Sequence, residues 1–248
     1  MEFKNRYGTL YYHDTPWNTK ALQGKSLEID SIESSPDNSI NVLSEFCVQK
    51  SKESYVLIAS RIPANSIELK KTYFECEFIT VEHTLDVSIF GLDLDKINVI
   101  SNKFPVIVED YKTNNIEEIE DISASEFSFG RFYEDPFIHP EIAKVRNKNW
   151  ISDLINQESI IKILKKKNNV VGFMAYKVEE NRVDLVLGGI KEKYRHMAYG
   201  FWANIFLGLK DVKEIHTVIS SSNIDVLNLY KYFGFKFESP QFGFHKHL

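Results

Sequence analysis

Cysteine is scarce in this chain: only Cys47 and Cys76 occur among its 248 residues. They stand far apart, and neither lies in a CxxC pair or beside a histidine motif. The sequence therefore predicts two buried free thiols, and it argues against a disulfide, a cysteine-ligated metal or a cysteine nucleophile.

Long apolar runs and excess positive charge are also missing. No stretch of roughly 18 apolar residues is available for a membrane span, and the segment MEFKNRYG lacks the apolar core of a signal peptide. The net charge of −5 argues against a nucleic-acid binder. We therefore expect a cytoplasmic protein that has neither a membrane nor a nucleic acid as its partner.

Metal-ligand patterns are weak. Of the 7 histidines, only His245 and His247 share one face of a predicted strand. A metal site needs further ligands, and none lies near them in the sequence. We expect no metal.

The first hundred residues alternate between helix-like and strand-like segments. The order is the helix LSEFCVQKSK, the strand SYVLIASRI, the helix SIELKKTYF and the strand FITVEHTLDVSI. This alternation predicts a small mixed sheet with helices on it. Residues 93–123 are acidic and irregular in sequence, as in NNIEEIEDIS, which predicts a connection or an outer strand-helix edge. A second part of the chain is expected to start near residue 104.

That second part contains a predicted hairpin followed by a basic turn. The runs VVGFMAYKV and RVDLVLGGI are joined by EEN, and the segment RHMAYG (residues 195–200) then opens a helix predicted from Tyr194 to Leu209. Exposed amides at such a helix start, with Arg195 beside them, would suit a pyrophosphate. The alternative is a solvated arginine near a helix end.

The next helix has apolar residues at helical spacing. In SSNIDVLNLYKYFGF these are Val226, Leu227, Tyr230 and Phe233, and Gly234 is the expected C-cap. Taken alone, the pattern is typical of an amphipathic helix that packs Tyr230 in the core.

The whole order of elements resembles the Gcn5-related N-acetyltransferase (GNAT) family. That family has a (Q/R)xxGx(G/A) pyrophosphate motif, and its next helix often carries NxxxxxLYxxxGF. The segments DTPWNTKALQGK and FSFGRFYEDPFI further resemble one branch, the dTDP-fucosamine acetyltransferases. The chain departs from the motif at Ala198, where the family has Gly. Helical backbone angles suit Ala, so this departure implies weaker coenzyme binding at most and not its loss.

The resemblance implies a fold and a domain division. The expected fold is α/β (α+β), with a mixed, mostly antiparallel sheet flanked by helices. Residues 1–103 would form a truncated GNAT-like domain, and residues 104–248 would form the acetyltransferase domain.

The resemblance also implies a reaction. Acetyl-CoA would acetylate the amine of a nucleotide-linked sugar, a dTDP-4-amino-4,6-dideoxyhexose, for a surface polysaccharide. The expected pyrophosphate-binding residues are Arg195, His196, Met197, Ala198, Tyr199 and Gly200. Leu187 and Gly188 would hold the pantetheine arm and polarise the thioester carbonyl, although Gly188 and Gly189 could equally mark a strand end. Asn223 would contact the coenzyme, cap its own helix, or do both.

Proton-transfer and acceptor roles follow from the same resemblance. Tyr230 would be the general acid. Glu82 would be the general base, with His83, His13 or a relaying water as rivals.

Arg131 would meet a phosphate of the acceptor, or else form a surface ion pair with Glu134 or Asp135. Tyr133 would stack on a base or sugar, or else act as a hydrophobic anchor.

Two other functions remain open at this point. One is acetylation of a different amine, such as an amino acid, a polyamine or a protein amino terminus. The other is a non-catalytic coenzyme-binding module, which Ala198 brings into consideration. A homodimer is a further expectation, because a carboxy-terminal strand around QFGFHKHL could pair with its copy if it were exposed.

Overall fold

The computed structural model describes all 248 residues, which form eleven strands, eight α-helices and two short 3-10 helices. The strands are β1 Glu2–Asn5, β2 Gly8–Asp14, β3 Lys25–Ser34, β4 Tyr55–Pro63, β5 Ile79–Phe90, β6 Ile107–Asp110, β7 Ile160–Lys166, β8 Asn169–Glu179, β9 Arg182–Ile190, β10 Glu214–Ser220 and β11 Lys236–His247. The helices are α1 Pro16–Leu22, α2 Pro36–Lys52, α3 Ile67–Glu75, α4 Leu94–Lys103, α5 Ile116–Ser125, α6 Pro140–Asn156, α7 Ala198–Gly208 and α8 Ile224–Phe233. The 3-10 helices are Thr113–Asn115 and Glu192–Met197.

All eleven strands belong to one sheet, in the order β1-β2-β3-β4-β11-β5-β10-β9-β8-β7-β6. Only the β3–β4 and β9–β10 pairs are parallel. The expected α/β architecture with a mostly antiparallel sheet is therefore confirmed. The division at residue 103 coincides with the end of α4 and stays a prediction, because β5 from the first half lies between two strands of the second.

The carboxy-terminal strand is an interior strand. β11 pairs antiparallel with β4 on one side and with β5 on the other. Its backbone groups are therefore used within the chain, and it offers no free edge to a second copy. The expectation that this strand is exposed is wrong, and the argument for a homodimer loses its basis.

The sequence patterns predicted the amphipathic elements correctly. The β8–β9 hairpin is present, and α8 ends at Gly234, whose φ of 94° lies in the left-handed region. Residues 93–123 form an outer strand-helix edge, one of the two expectations, because β6 is the last strand of the sheet and lies between α4 and α5 in the chain. α4 and α5 form there because each buries a pair of isoleucines: Ile97 and Ile100 in α4, Ile119 and Ile122 in α5.

The helices cover the two faces of the sheet differently at its two ends. At the end from β5 to β6, helices α4, α7 and α8 pack around the largest apolar cluster, while α5 and α6 cover the opposite face. At the end from β1 to β4, helices α2 and α3 cover one face. The other face meets α6 and the loop between α5 and α6, residues 126–139, which we call the α5–α6 loop. That loop brings the second half over β3, β4 and β11.

Both cysteines are free and buried, as expected. Burial raises the pKa of the Cys47 thiol to about 12 and that of Cys76 to about 11. Neither thiol is activated as a nucleophile. None of the eight α-helices combines the length and the apolar character that a membrane crossing requires.

Candidate active site

The two parallel strands at the centre of the second half separate from each other. β9 and β10 pair over only three positions, from Arg182 opposite Glu214 to Asp184 opposite His216. Just beyond them, the Thr217 hydroxyl donates to the Leu185 carbonyl at 2.9 Å. β9 then continues beside β8, and β10 continues beside β5. The parted strands leave backbone donors and acceptors available to an extended ligand.

A β-bulge lies where β9 leaves β10. Ala175 is opposite Leu187 and Tyr176 is opposite Leu185, so Val186 is the extra residue. A bulge re-aims the local peptide groups, and bulges are frequent next to active sites. Gly188 and Gly189 follow it and still pair with β8. β9 ends one residue later, at Ile190, so the alternative that these glycines mark a strand end stays open.

The basic turn after β9 begins with one stretch of 3-10 helix, Glu192–Met197, and becomes the α-helix α7 at Ala198. Ala198 has φ −58° and ψ −46°, which are ordinary helical values, so a methyl group fits this position without backbone strain. The Arg195 side chain is 56% exposed, and its nearest acid, Glu126, lies 3.9 Å away. The guanidinium is therefore loosely held and available to a ligand.

Glu126 is a residue of this region that the sequence did not single out. Its carboxylate accepts a hydrogen bond from the Glu192 backbone N–H at 2.9 Å, at the start of the turn. A carboxylate thus sits on an amide of the segment expected to bind phosphate. The two residues are 66 positions apart, so no local pattern could connect them.

Gly200, the last residue of the RHMAYG motif, is fixed by packing. A Cβ atom at this position would lie 2.1 Å from the Phe104 carbonyl oxygen. The glycine therefore lets α7 approach the chain that follows α4. Its smallness is explained without a ligand.

The helix α8 carries Asn223 and Tyr230. Asn223 caps it, because its Oδ1 accepts from the Val226 N–H at 3.4 Å. Tyr230 is 3% exposed, and its ring packs edge-on against Phe235 and Trp202. Burial raises the pKa of its phenol well above the usual value. The structure thus shows Tyr230 as a protonated core aromatic, and its role as proton donor stays a prediction.

Glu82 lies on β5 with its side chain 2% exposed. Arg61 Nε donates to Glu82 Oε1 at 2.9 Å, and Arg61 Nη2 lies 2.7 Å from the same oxygen. Gly243 stands opposite on β11, and a Cβ there would lie 2.5 Å from Glu82 Cγ. The carboxylate is therefore already paired, and its role as general base stays a prediction.

The two rival histidines differ in location. His83 Nδ1 lies 3.1 Å from the Ser221 hydroxyl, immediately after β10. His13 lies on β2, with its side chain 46% exposed, and pairs with Asp30. Of the two, only His83 is beside the end of a strand that borders the opening.

The α5–α6 loop is fastened to the end of β10 by Glu134. One carboxylate oxygen accepts from the Gly130 N–H and the Ser220 hydroxyl, both at 2.7 Å. The other accepts from the Ser222 hydroxyl at 2.9 Å. From the sequence, Glu134 was expected only as one possible ion-pair partner of Arg131. The structure shows no such ion pair, because Glu134 accepts from Gly130, Ser220 and Ser222.

Arg131 instead reaches the first half of the chain. Its guanidinium donates to Glu28 on β3 at 2.8 Å, and its side chain is only 11% exposed. The alternative of a surface ion pair with Glu134 or Asp135 is therefore wrong. Tyr133, nearby in the loop, accepts from the Asn147 amide at 3.4 Å and packs beside a small apolar cluster.

Asp135 joins the two histidines that the sequence noted. Its Oδ2 lies 2.7 Å from His245 Nδ1 and 2.9 Å from His247 Nε2, and its Oδ1 accepts from the Phe137 N–H. These are hydrogen-bond distances, and they tie the loop to β11. One ligand atom from each of the three residues lies within 4.8 Å of the others, so the group could also hold a cation. The sequence missed the third member because it lies 110 positions away from His245.

Comparison with known proteins supports the fold. No protein-family model matches the chain. The chain is 21% identical over 252 residues to the spore coat polysaccharide biosynthesis protein SpsD of Bacillus subtilis (strain 168), covering 96% of this chain and 83% of that protein.

Two solved structures are similar over almost the whole chain. A conserved protein of unknown function from Staphylococcus epidermidis ATCC 12228 has a TM-score of 0.67 at 15% identity, covering 99% of this chain and 92% of the other. A GCN5-related N-acetyltransferase from Sphaerobacter thermophilus has a TM-score of 0.63 at 12% identity, covering 96% and 76%. The chain therefore has the fold of the GCN5-related N-acetyltransferases, and the resemblance found in the sequence is confirmed at the level of the fold.

Proposed function

We propose that this protein is an acetyl-CoA-dependent N-acetyltransferase. The observation that carries the proposal is the opening between β9 and β10, with its bulge at Val186 and the basic turn that follows β9. The freed edge of β9 at Leu187 and Gly188 is suited to hold an extended pantetheine arm. The turn from Arg195 to Gly200 is suited to hold the diphosphate.

Acetyl-CoA would supply an activated acetyl group, and the protein's task is to position the amine and manage charge. Peptide N–H groups re-aimed by the bulge are the proposed donors to the developing oxyanion. Asn223 caps the first turn of α8 and so fixes where that helix begins. It is proposed to contact the coenzyme as well. Positioning of this kind can lower a barrier by about 7–11 kcal/mol.

The general-acid role of Tyr230 carries an energetic requirement. A phenol of pKa about 10 gives its proton to a thiolate of conjugate-acid pKa about 8.5 at a cost of about 2 kcal/mol. Burial raises the pKa of Tyr230 and increases that cost. The transfer is feasible if the departing thiolate is desolvated in the same apolar surroundings, because burial makes a thiolate more basic as well.

The acceptor that we propose is the amine of a nucleotide-linked amino sugar, such as a dTDP-4-amino-4,6-dideoxyhexose. Its support is the similarity to SpsD, whose name refers to polysaccharide biosynthesis, together with the charged residues under the α5–α6 loop. Arg131 and Tyr133 would contact the acceptor. Glu82 would take the amine proton through Oε2, because Arg61 holds Oε1.

An assay of thiol release from acetyl-CoA tests the proposal. The acceptors are dTDP-4-amino and dTDP-3-amino hexoses, an amino acid, a polyamine and a peptide amino terminus. Turnover with a dTDP-amino sugar alone supports the full proposal, whereas turnover with another amine keeps the enzyme class and removes the acceptor. Calorimetric binding of acetyl-CoA without any turnover would instead indicate a non-catalytic module.

The substitution Tyr230→Phe tests the general acid. We expect kcat to fall by about 10²-fold or more with the KM for acetyl-CoA little changed. Tyr232→Phe is the matched control, because Tyr232 lies on the same helix and is 45% exposed. If Tyr230→Phe turns over as fast as this control, the phenol has no part in proton transfer.

A further inference from the structure

Five charged side chains meet between the two halves of the chain: Glu28, Arg61, Glu82, Arg131 and Arg146. We call them the charge cluster. Arg61 pairs with Glu82 and Arg131 pairs with Glu28. Arg146, on α6, has no carboxylate partner. The cluster therefore holds one more positive than negative charge.

The partners of Arg146 are all uncharged. Its Nε donates to Asn18 Oδ1 and its Nη1 to Asn147 Oδ1, both at 3.2 Å. The guanidinium stacks over Trp150 and Phe132, at 4.3 and 5.0 Å from the ring centroids. These contacts fix the orientation of the guanidinium and leave its charge uncompensated.

This uncompensated charge is unfavourable in the protein as it stands. The pKa of Arg146 is lowered to about 9, chiefly by burial and then by the charges of Arg131 and Arg61, which Glu82 and Glu28 offset only in part. In addition, Arg131 Nη1 is buried without a hydrogen-bond acceptor. A half-buried cation without a counter-charge and an unused buried donor in one place call for an explanation, and a bound anion supplies one.

We infer that the charge cluster binds a diphosphate, with Arg146 and Arg131 as its principal donors. A guanidinium offers two parallel N–H groups that match two phosphate oxygens. The inference rests on the proposed function and deepens it, because the diphosphate would be that of the nucleotide-linked acceptor. Solvent reaches the cluster at Arg61, whose side chain is 32% exposed.

The location suits an acceptor. Arg131 lies in the α5–α6 loop, and Glu134 of the same loop is hydrogen-bonded to Ser220 at the end of β10. A diphosphate held by the loop would therefore lie near the opening between β9 and β10. Coenzyme A also carries a diphosphate, and the experiment has to separate these two sources.

The test is calorimetric binding to the full-length protein without any amine or acetyl donor. The probes are dTDP, inorganic pyrophosphate and coenzyme A. We expect Arg146→Gln to weaken binding of dTDP and pyrophosphate by about 10- to 100-fold and to leave coenzyme A binding unchanged. Arg146→Lys, which keeps the charge but not the fork, should fall between Arg146→Gln and the unaltered protein.

Stability gives a second readout that a purely structural arginine would not produce. Removal of an uncompensated charge should raise the Tm of Arg146→Gln by about 2 °C or more without ligand. Lys148→Gln is the matched control, because it removes one positive charge from the same helix at a side chain that is 49% exposed. It should change neither the affinity for dTDP nor the Tm appreciably.

Four results would overturn the inference. The unaltered protein could fail to bind dTDP or pyrophosphate, or Arg146→Gln could bind them as tightly as the unaltered protein. Lys148→Gln could lose as much affinity for dTDP as Arg146→Gln does, or Arg146→Gln could lose affinity for coenzyme A and keep it for dTDP. None of them depends on turnover. If the unaltered protein acetylates a dTDP-amino sugar but the Arg146→Gln variant still binds dTDP normally, the proposed function stands and the proposed diphosphate site does not.

Discussion

The substitution Gly200→Ala offers the sharpest test of how α7 is seated. The added methyl would lie 2.1 Å from the Phe104 carbonyl oxygen, whereas ordinary contacts begin at 3.4 Å. The contacting atom belongs to the backbone, so no side chain can rotate away. Either α7 or the chain after α4 must move by about 1 Å.

The expected loss of stability follows from two opposing terms. Overpacking of this kind costs about 1–3 kcal/mol, and the backbone clash places Gly200→Ala near the upper end. Replacing glycine by alanine in a helix returns about 1 kcal/mol. The net expectation is a loss of about 2 kcal/mol, a considerable share of the roughly 5–15 kcal/mol that holds a typical domain folded.

Equilibrium unfolding in urea, followed by circular dichroism, measures this loss. Gly208→Ala is the matched control: the same substitution in the same helix, with no heavy atom within 4 Å of the new methyl apart from its own neighbouring helix backbone. It should stabilise the protein by about 0.5–1 kcal/mol. The two alanine variants should therefore differ by about 3 kcal/mol, in opposite directions from the unaltered protein.

A Gly200→Ala protein that is as stable as Gly208→Ala would refute the packing argument. If it were also folded but bound acetyl-CoA more weakly, the glycine would serve the approach of the phosphates instead. The packing argument expects the reverse pattern, with lower stability as the primary effect.

Two further predictions concern the helix cap and acid stability. Asn223→Ala should cost about 0.5–1 kcal/mol in urea unfolding because the cap is lost, whereas Asn223→Ser should keep the cap, so weaker acetyl-CoA binding in Asn223→Ser would reveal a separate contact with the coenzyme. Burial raises the pKa of Glu28, but its ion pair with Arg131 outweighs this and lowers the pKa to about 2 from 4.5. A depressed carboxyl pKa stabilises the fold above the unfolded-state pKa, so about 2 kcal/mol should be lost between about pH 5 and about pH 3. Glu28→Gln should lack this acid-induced loss, and an unchanged pH dependence in that variant would contradict the assignment.

Elements with a local signal were predictable from the sequence. The β8–β9 hairpin and α8 with its cap Asn223 and its terminal Gly234 each announce themselves within about a dozen residues, because periodicity and capping are local. The helix α4 was not predicted as a separate element, because its local apolar signal is weak. Its only apolar pair that becomes buried is Ile97 and Ile100, set among charged and polar residues.

The pairings at the candidate site were not predictable, because long-range topology creates them. Arg131 meets Glu28 across 103 positions, and Arg146 meets Asn18 across 128. Each of these residues alone looks like an ordinary surface charge or amide. The α5–α6 loop lies over strands from the first half of the chain and shields these side chains from water. Burying a charged or polar group costs free energy unless it has a partner, so their pairing then affects stability.

That placement follows from the path of β11. Because β11 runs between β4 and β5, it brings Gly243 between Arg61 and Glu82, and His245 under Asp135. At the same time, β5 supports β10 at the point where β10 leaves β9. The first half of the chain is therefore a wall of the candidate site. We propose that this half serves the acceptor, since the elements proposed to hold the coenzyme, from β9 to α8, all lie in the second half of the chain.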